Sequence, residues 1–273
     1  VVAAGPLANL LLAVVLYAVV FFTGQLETKA VVSSPLAGSI AQAAGVKSGD
    51  EILRVGLTED ALQDVRSMED LRWWLMNLPS DAEQIWWEVQ SQGVSGQQRL
   101  ALKLATSETS PDAAAPKQKH SAFLTDLPKL GIQGAWTAPV MGELQAGKPA
   151  QRAGLTRGDV VLRVEGQRIS DAAQLRQLVR ASGAKAAPEP QVWEVQRRQH
   201  GVLLIEVTPE RIQEGDESFG RIGAFIGGAP ATVWVELDVV QSVSRALERT
   251  WDMSAMTLQL LTQMVLGEAE WRH

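Results

Sequence analysis

The sequence predicts an α+β chain: an apolar N-terminal helix, two copies of one β-rich module, and a C-terminal amphipathic helix. Three observations predict it. The first 26 of the 273 residues carry no charge. Residues 41–55 (AQAAGVKSGDEILRV) and 150–164 (AQRAGLTRGDVVLRV) are identical at nine of fifteen positions, at an offset of 109. From Val240 onward, apolar residues recur at helical spacing.

Composition bounds the function. Hydrophobic residues are 46% and charged residues 21%, ordinary globular values that exclude wholesale disorder. A net charge of −6 and a pI near 5.2 exclude the basic footprint of a nucleic-acid binder. The chain has no Cys, which excludes a disulfide framework and Cys-ligated zinc. His120, His200 and His273 are the only histidines and are far apart in sequence, so clustered-histidine catalysis is not expected. The chain opens on Val1 rather than Met, which reads as a fragment or a processed form.

Residues 1–26 predict a transmembrane helix. Leu7 to Phe22 is apolar apart from Asn9. Pro6 suits a first helical turn, where its missing N–H costs nothing. Pro6 to Phe22 rises ~25 Å as a helix, and a few flanking residues bring it to the ~30 Å of a bilayer core. A cleaved signal peptide would carry a positive n-region, which is lacking. Gly5 would allow close approach of a neighbouring helix, and Asn9 either finds a partner on such a helix or meets water at the interface.

The two modules share one plan. A helical turn ends at Ala-Gly (Gly45, Gly154), where glycine takes the left-handed cap conformation. A Gly-Asp turn follows (Gly49-Asp50, Gly158-Asp159), then a short apolar strand (Ile52 to Val55, Val161 to Val164). An amphipathic helix is next, with Leu71, Leu75 and Leu78 on one face in the first copy and Leu175, Leu178 and Val179 in the second. Two alternating strands close each unit, and Trp-Glu-Val-Gln recurs at 87–90 and 193–196. The first module is expected over 27–106 and the second over 128–212. Thr106 to His120 has no Val, Ile, Leu, Met or aromatic residue, so 107–127 reads as a linker. Residues 213–235 read as a strand and loop extension, within which Gly220 to Pro230 lacks the Gly-Lys-Ser/Thr ending of a phosphate loop.

The run Ala-Gly-Leu-x-x-Gly-Asp-x-x-Leu-x-Val-x-Gly (Ala153 to Gly166) resembles the body of a bacterial PDZ domain. Leu130-Gly131-Ile132 upstream resembles that family's carboxylate-binding loop, and the helix from about Ser170 to Arg180 would form the other groove wall. The resemblance implies a peptide groove lined by Leu130, Gly131, Ile132, Leu175, Leu178 and Val179. The first unit carries Ala44-Gly45-Val46 and Gly49-Asp50 but has Lys29 to Ser39 where that loop would stand, and it lacks the spacer before Gly56.

The whole layout resembles an RseP-type bacterial site-2 protease, an intramembrane zinc metalloprotease. Ala4 to Asn9, with Gly5 and Asn9, looks like the start of that family's second membrane helix, followed by tandem PDZ domains. The family's His-Glu-x-x-His and its Asp-bearing zinc-ligand motif are absent from this sequence. The resemblance implies that they lie before Val1 and beyond His273. It also implies zinc in the parent enzyme with none bound here, and a location in the bacterial inner membrane with the PDZ domains in the periplasm. The PDZ pair would act as a size filter and C-terminal peptide binder for anti-sigma-factor-like substrates in an envelope stress response. A non-catalytic, membrane-anchored PDZ adaptor, such as a secretion-system component, is the alternative.

Residues 236–273 predict a membrane-proximal amphipathic helix. Val240, Val243, Leu247, Trp251, Ala255, Leu258, Leu261 and Val265 follow helical spacing, with charges on other faces of the first half. Met253 to Gly267 is uncharged but only 15 residues long, short of a span. Trp251 and Trp271 suit headgroup depth.

Overall fold

The computed structural model describes residues 4–79, 81–104, 127–184, 189–215 and 217–265. They fall into two compact units, Val1–Glu27 with Val233–His273, and Thr28–Thr232. The linker expected at 107–127 lies outside the described residues except for Leu127, and so does Trp271.

Helix α1 (Ala4–Thr23) and strand β1 (Gln25–Thr28) open the chain. The first module follows with α2 (Ile40–Ala43), β2 (Glu51–Gly56), β3 (Gln63–Asp64), α3 (Met68–Met76), β4 (Gln84–Gln90), β5 (Gln98–Lys103) and α4 (Leu127–Leu130). Its antiparallel sheet has the order β3-β2-β4-β5. Local chemistry sets the boundaries. The Ser39 side chain caps α2 by accepting from Gln42 N–H, and the chain leaves that turn through Gly45 at φ +88°. Ser67 caps α3 by accepting from Asp70 N–H at 3.2 Å. Leu71 and Leu75 on α3 meet Ile85, Trp87 and Val89 of β4 in a fully buried core, so the alternation of β4 and the helical spacing of α3 serve the same core.

The second module repeats this with β6 (Met141–Leu144), α5 (Pro149–Arg152), β7 (Val160–Val164), β8 (Gln167–Arg168), α6 (Ala172–Ala181), β9 (Gln191–Arg197) and β10 (Gly201–Val207). Its sheet order, β10-β9-β7-β8, matches the first. A hairpin of β11 (Glu210–Glu214) and β12 (Glu217–Arg221) follows, and then β13 (Ala224–Ile226) pairs with β6. Trp193 takes the place of Trp87 at the centre of a separate core that includes Val161, Leu175 and Val207. The modules differ at one tip. Glu165 (φ +48°) and Gly166 (φ +76°) join β7 to β8 in two residues, whereas residues 57–62 make a longer loop between β2 and β3.

The packing carries both modules past their expected boundaries. Leu127, Leu130 and Ile132 are buried in the first core, and Ile222 and Ile226 in the second. Each module therefore takes one edge segment from downstream sequence. Leu36 N–H donates to the Gly131 carbonyl at 2.7 Å, and Gln145 N–H donates to the Gly223 carbonyl at 2.8 Å. Leu36 and Gln145 differ by the 109 of the repeat, but Gly131 and Gly223 by 92. Residues 128–135 thus complete the first module, and the 213–235 extension completes the second.

Strand β14 (Thr232–Val235) pairs with β1, and α7 (Val239–Val265) ends the described chain. Leu237 N–H donates to the Phe21 carbonyl at 3.2 Å, so α7 starts at the end of α1 and packs along it. Asp238 caps α7, its Oδ1 accepting from Gln241 N–H at 2.8 Å. The apolar stripe of α7 is exposed, and a face of small residues is buried. Ser242, Ala246 and Thr250 are buried and Ser254 is half-buried, while Val240, Val243, Leu247, Trp251 and Leu258 are exposed. Small side chains permit close helix packing, and the hydroxyls of Thr250 and Ser254 are satisfied by carbonyls one turn back. Among the described residues no helix is long and apolar enough to cross a membrane. The unbroken run of described side chains in α1, Ala8 to Thr23, rises ~24 Å.

Candidate functional site

Each module presents a strand edge beside a helix, and the same bonds build both. In the first, Val32 pairs with Ala135 and Pro35 with Ile132, so 132–135 lies outside the 31–35 segment. In the second, β13 lies outside β6, with α6 against it. The Gly-Asp turns brace the inner segments. Val32 N–H donates to the Asp50 carbonyl and Gly49 N–H to the Val32 carbonyl, both at 2.9 Å. Met141 N–H and the Asp159 carbonyl, with Gly158 N–H and the Met141 carbonyl, repeat the pair at 2.7 Å each.

Glycine is required at both edge turns. Gly131 has φ +90°, and a Cβ there would stand 2.1 Å from Ser39 Cβ. Gly223 has φ +68°, and its Cβ would stand 2.3 Å from Lys148 Cβ. Neither the conformation nor the space tolerates a side chain.

The turn carboxylates are anchored differently. Asp50 Oδ2 accepts from Lys47 N–H at 2.8 Å and Oδ1 from the Ser91 hydroxyl at 2.6 Å. Asp159 takes Thr156 N–H at 2.8 Å, the Thr156 hydroxyl, and two guanidinium bonds from Arg197 at 2.8 and 2.7 Å. Burial pushes the Asp159 carboxyl up. The Arg197 and Thr156 bonds outweigh it and hold the group below the usual carboxylate range.

The structure divides the six expected groove residues between two modules. Leu130, Gly131 and Ile132 belong to the first module's edge, and Leu130 and Ile132 are buried in its core. Leu175 and Val179 are buried in the second core, and Leu178 packs against it. The edge that faces α6 is instead Gly223 to Ile226. There Arg176 Nη1 donates to the Ile226 carbonyl at 2.7 Å, so α6 already occupies one acceptor of that strand. Phe225 lies over Gly142 and is two-thirds exposed. The signal for this segment was Ile222-Gly223-Ala224, an apolar-Gly-apolar triplet like Leu130-Gly131-Ile132, inside the glycine-rich stretch read as extension. On α1, Gly5 and Asn9 are both exposed, and a Cβ on Gly5 would meet nothing within 4 Å.

The PDZ domain family matches residues 142–188. Regulator of sigma-E protease RseP of Escherichia coli (strain K12) is 26% identical over 280 residues, covering 99% of this chain and 57% of that protein. Protease RseP of Yersinia pestis is 26% identical over 278 residues, with the same two coverages. A protein of Ralstonia nicotianae, named as a candidate zinc metalloprotease, is 26% identical over 276 residues, 98% of this chain and 56% of the relative. The chain is similar along nearly its whole length to RseP-type zinc metalloproteases. It spans about 57% of the length of those curated RseP relatives.

Zinc is the metal named for the Ralstonia nicotianae relative. Among the described residues no group of three or more His, Cys, Asp or Glu is placed to hold a metal ion. His200 is the one described histidine and it is exposed. The described residues do not fit a zinc site, and no chemical step is assigned to them through the metal.

Proposed function

We propose that this chain is the membrane-anchored, substrate-restricting part of an RseP-type intramembrane protease. The observation that carries this reading is similarity to RseP proteins across 99% of the chain. In this reading α1 crosses the bacterial inner membrane and both modules are PDZ domains standing in the periplasm. The 20 residues of α1 rise ~30 Å, and its exposed Leu10, Leu11, Leu12, Leu16 and Val19 offer lipid an apolar surface. The outward face of α7 (Val240, Val243, Leu247, Trp251) lies at the headgroup–acyl boundary. The zinc-binding motifs belong to other parts of the whole protein.

The modules act first as a size filter. Anti-sigma-factor-like membrane substrates with an intact ectodomain are excluded by bulk, and trimmed ones reach the active site. Steric exclusion needs no affinity. The edges also take a trimmed C-terminus by strand addition, with backbone N–H groups near Gly131 and Gly223 receiving the carboxylate. A single such groove typically supplies micromolar affinity, ~8 kcal/mol, which selects weakly by itself.

The filter is tested by excision in the full-length protease. Lys29 N–H bonds the Ala231 carbonyl at 2.8 Å, so a short Gly-Ser bridge can replace the residues between them. Cleavage of untrimmed substrate should then appear. Untrimmed substrate that stays uncut would refute the filter. Titrating the full chain with peptides ending in a free or an amidated carboxylate tests the grooves, and equal binding of both forms contradicts the carboxylate assignment.

A further inference from the structure

The cap of α6 reaches beyond its own module. Asp171 is fully buried. Its Oδ1 accepts from Gln174 N–H at 2.8 Å, an ordinary helix cap. Its Oδ2 accepts from the first module: Ser34 N–H at 2.5 Å, the Ser34 hydroxyl at 2.7 Å, and the Ser48 hydroxyl. Two more bonds flank it. Trp136 Nε1–H donates to the Ser170 carbonyl at 3.2 Å, and Ala172 N–H to the Thr137 carbonyl at 2.9 Å.

Capping alone does not call for a carboxylate here. The corresponding cap in the first module is Ser67, buried as fully, and its single hydroxyl suffices. An aspartate at the same place keeps one oxygen for the cap and frees the other to reach across. Ser34 sits in the 31–35 segment that braces the first module's edge, and Ser48 adjoins its Gly-Asp turn. The Ser34 and Ser48 donors reach Oδ2 together only at one angle between the modules. Opening that angle strips a buried carboxylate of three hydrogen bonds, and a charged group left unsatisfied costs more than the bonds themselves gained.

We infer that Asp171 is a positioning residue, a latch that ties the second module's groove helix to the first module. The two edges then move as one body. Thr28–Thr232 is one compact unit around two cores, as such a tie requires. The inference deepens the filter reading, because a filter discriminates by size only if its aperture is fixed, but the rigidity itself does not depend on that reading.

The chain has no Cys, so cysteines introduced at the exposed Gln97 and Gln199, one in each module, accept spin labels selectively. Distances between them are measured by pulsed electron resonance on the full chain. The parent should give one narrow distribution. Ser34→Ala with Ser48→Ala leaves the cap bond of α6 untouched and should at least double the width. Asp171→Ser keeps a capping hydroxyl and should do the same without loss of helical circular dichroism. An unchanged distribution in the double serine variant overturns the latch, whatever Asp171→Ser does to folding. Broadened distances with the size limit for substrate unchanged would uphold the latch and count against the filter instead.

Discussion

The two modules of the larger unit are the same device with different fastenings. Both brace an inner segment with a Gly-Asp turn and close an edge with a glycine from downstream sequence. Both pair a strand arginine with a neighbouring glutamate, Arg54 with Glu88 at 3.5 Å and Arg163 with Glu194 at 2.7 Å. They part at the position after Trp-Glu-Val-Gln, which is Ser91 in one and Arg197 in the other. The lesson is that backbone geometry is held in common, while the side chain satisfying the turn carboxylate is free to be a hydroxyl or an ion.

The shared part gives the largest expected effects. Gly131→Ala and Gly223→Ala each place a Cβ within 2.4 Å of another side chain's Cβ at positive φ. Each should cost roughly 3 kcal/mol, the sum of backbone strain and overpacking. Urea unfolding of the full chain measures it. Similar losses at the two sites would sustain the equivalence of the edges, and a negligible loss at Gly223 would end it.

The divergent part comes next. Arg197→Ser leaves Asp159, 1% exposed, without its cation. Breaking a fully buried pair costs about 3–5 kcal/mol, but 23% of the Arg197 side chain is in water, so about 2 kcal/mol is expected. Ser91→Ala removes one neutral donor and should cost about 1 kcal/mol. Equal losses would mean that the ion adds nothing over the hydroxyl. The anchors also differ in acid. Asp159 is held below the usual carboxylate range in the folded chain, so its contribution is complete above the unfolded value near 4 and is lost as pH falls through the lowered folded value. Asp159→Asn should therefore flatten the fall in stability below about pH 4. A variant with the parent's acid limb would place that dependence elsewhere.

These contrasts also mark what the sequence could disclose. The repeat, 109 residues apart at the Gly-Asp turns and 106 apart at Trp-Glu-Val-Gln, reaches every element from the helical turn to each module's last sheet strand, because those residues are copied with their turns. Gly45, Gly49, Gly154 and Gly158 all take the positive φ that their positions demanded. The edge strands escaped the repeat because they follow connections of different length, 92 residues apart rather than the 104–109 of the other elements. Local pattern therefore assigned Leu130 and Ile132 to the module they precede instead of the one whose core they fill. The C-terminal helix is a different case. Its apolar stripe was legible and stands exposed, while the small residues that pack inward carry no apolar signal. Amphipathicity tells which faces differ, not which solvent each meets. The Asp171 bridge has no local signature, since serine and aspartate cap helices equally well.

The smallest predicted difference tests the cores themselves. Trp87 and Trp193 are both fully buried at the same place in their sheets. Trp193 Nε1–H donates to Gln191 Oε1 at 3.2 Å, whereas Trp87 Nε1 is buried with no partner among the described residues. Replacing either by Phe removes the same ring volume and leaves a comparable cavity. Only Trp193→Phe also breaks a hydrogen bond, and only Trp87→Phe removes an unsatisfied donor. Trp87→Phe should therefore cost about 1 kcal/mol less than Trp193→Phe. Paired urea denaturations in one buffer are sensitive enough to tell. A Trp87→Phe loss equal to or larger than its counterpart's would mean that the indole N–H is satisfied in solution, and that the two cores are closer twins than their hydrogen bonds indicate.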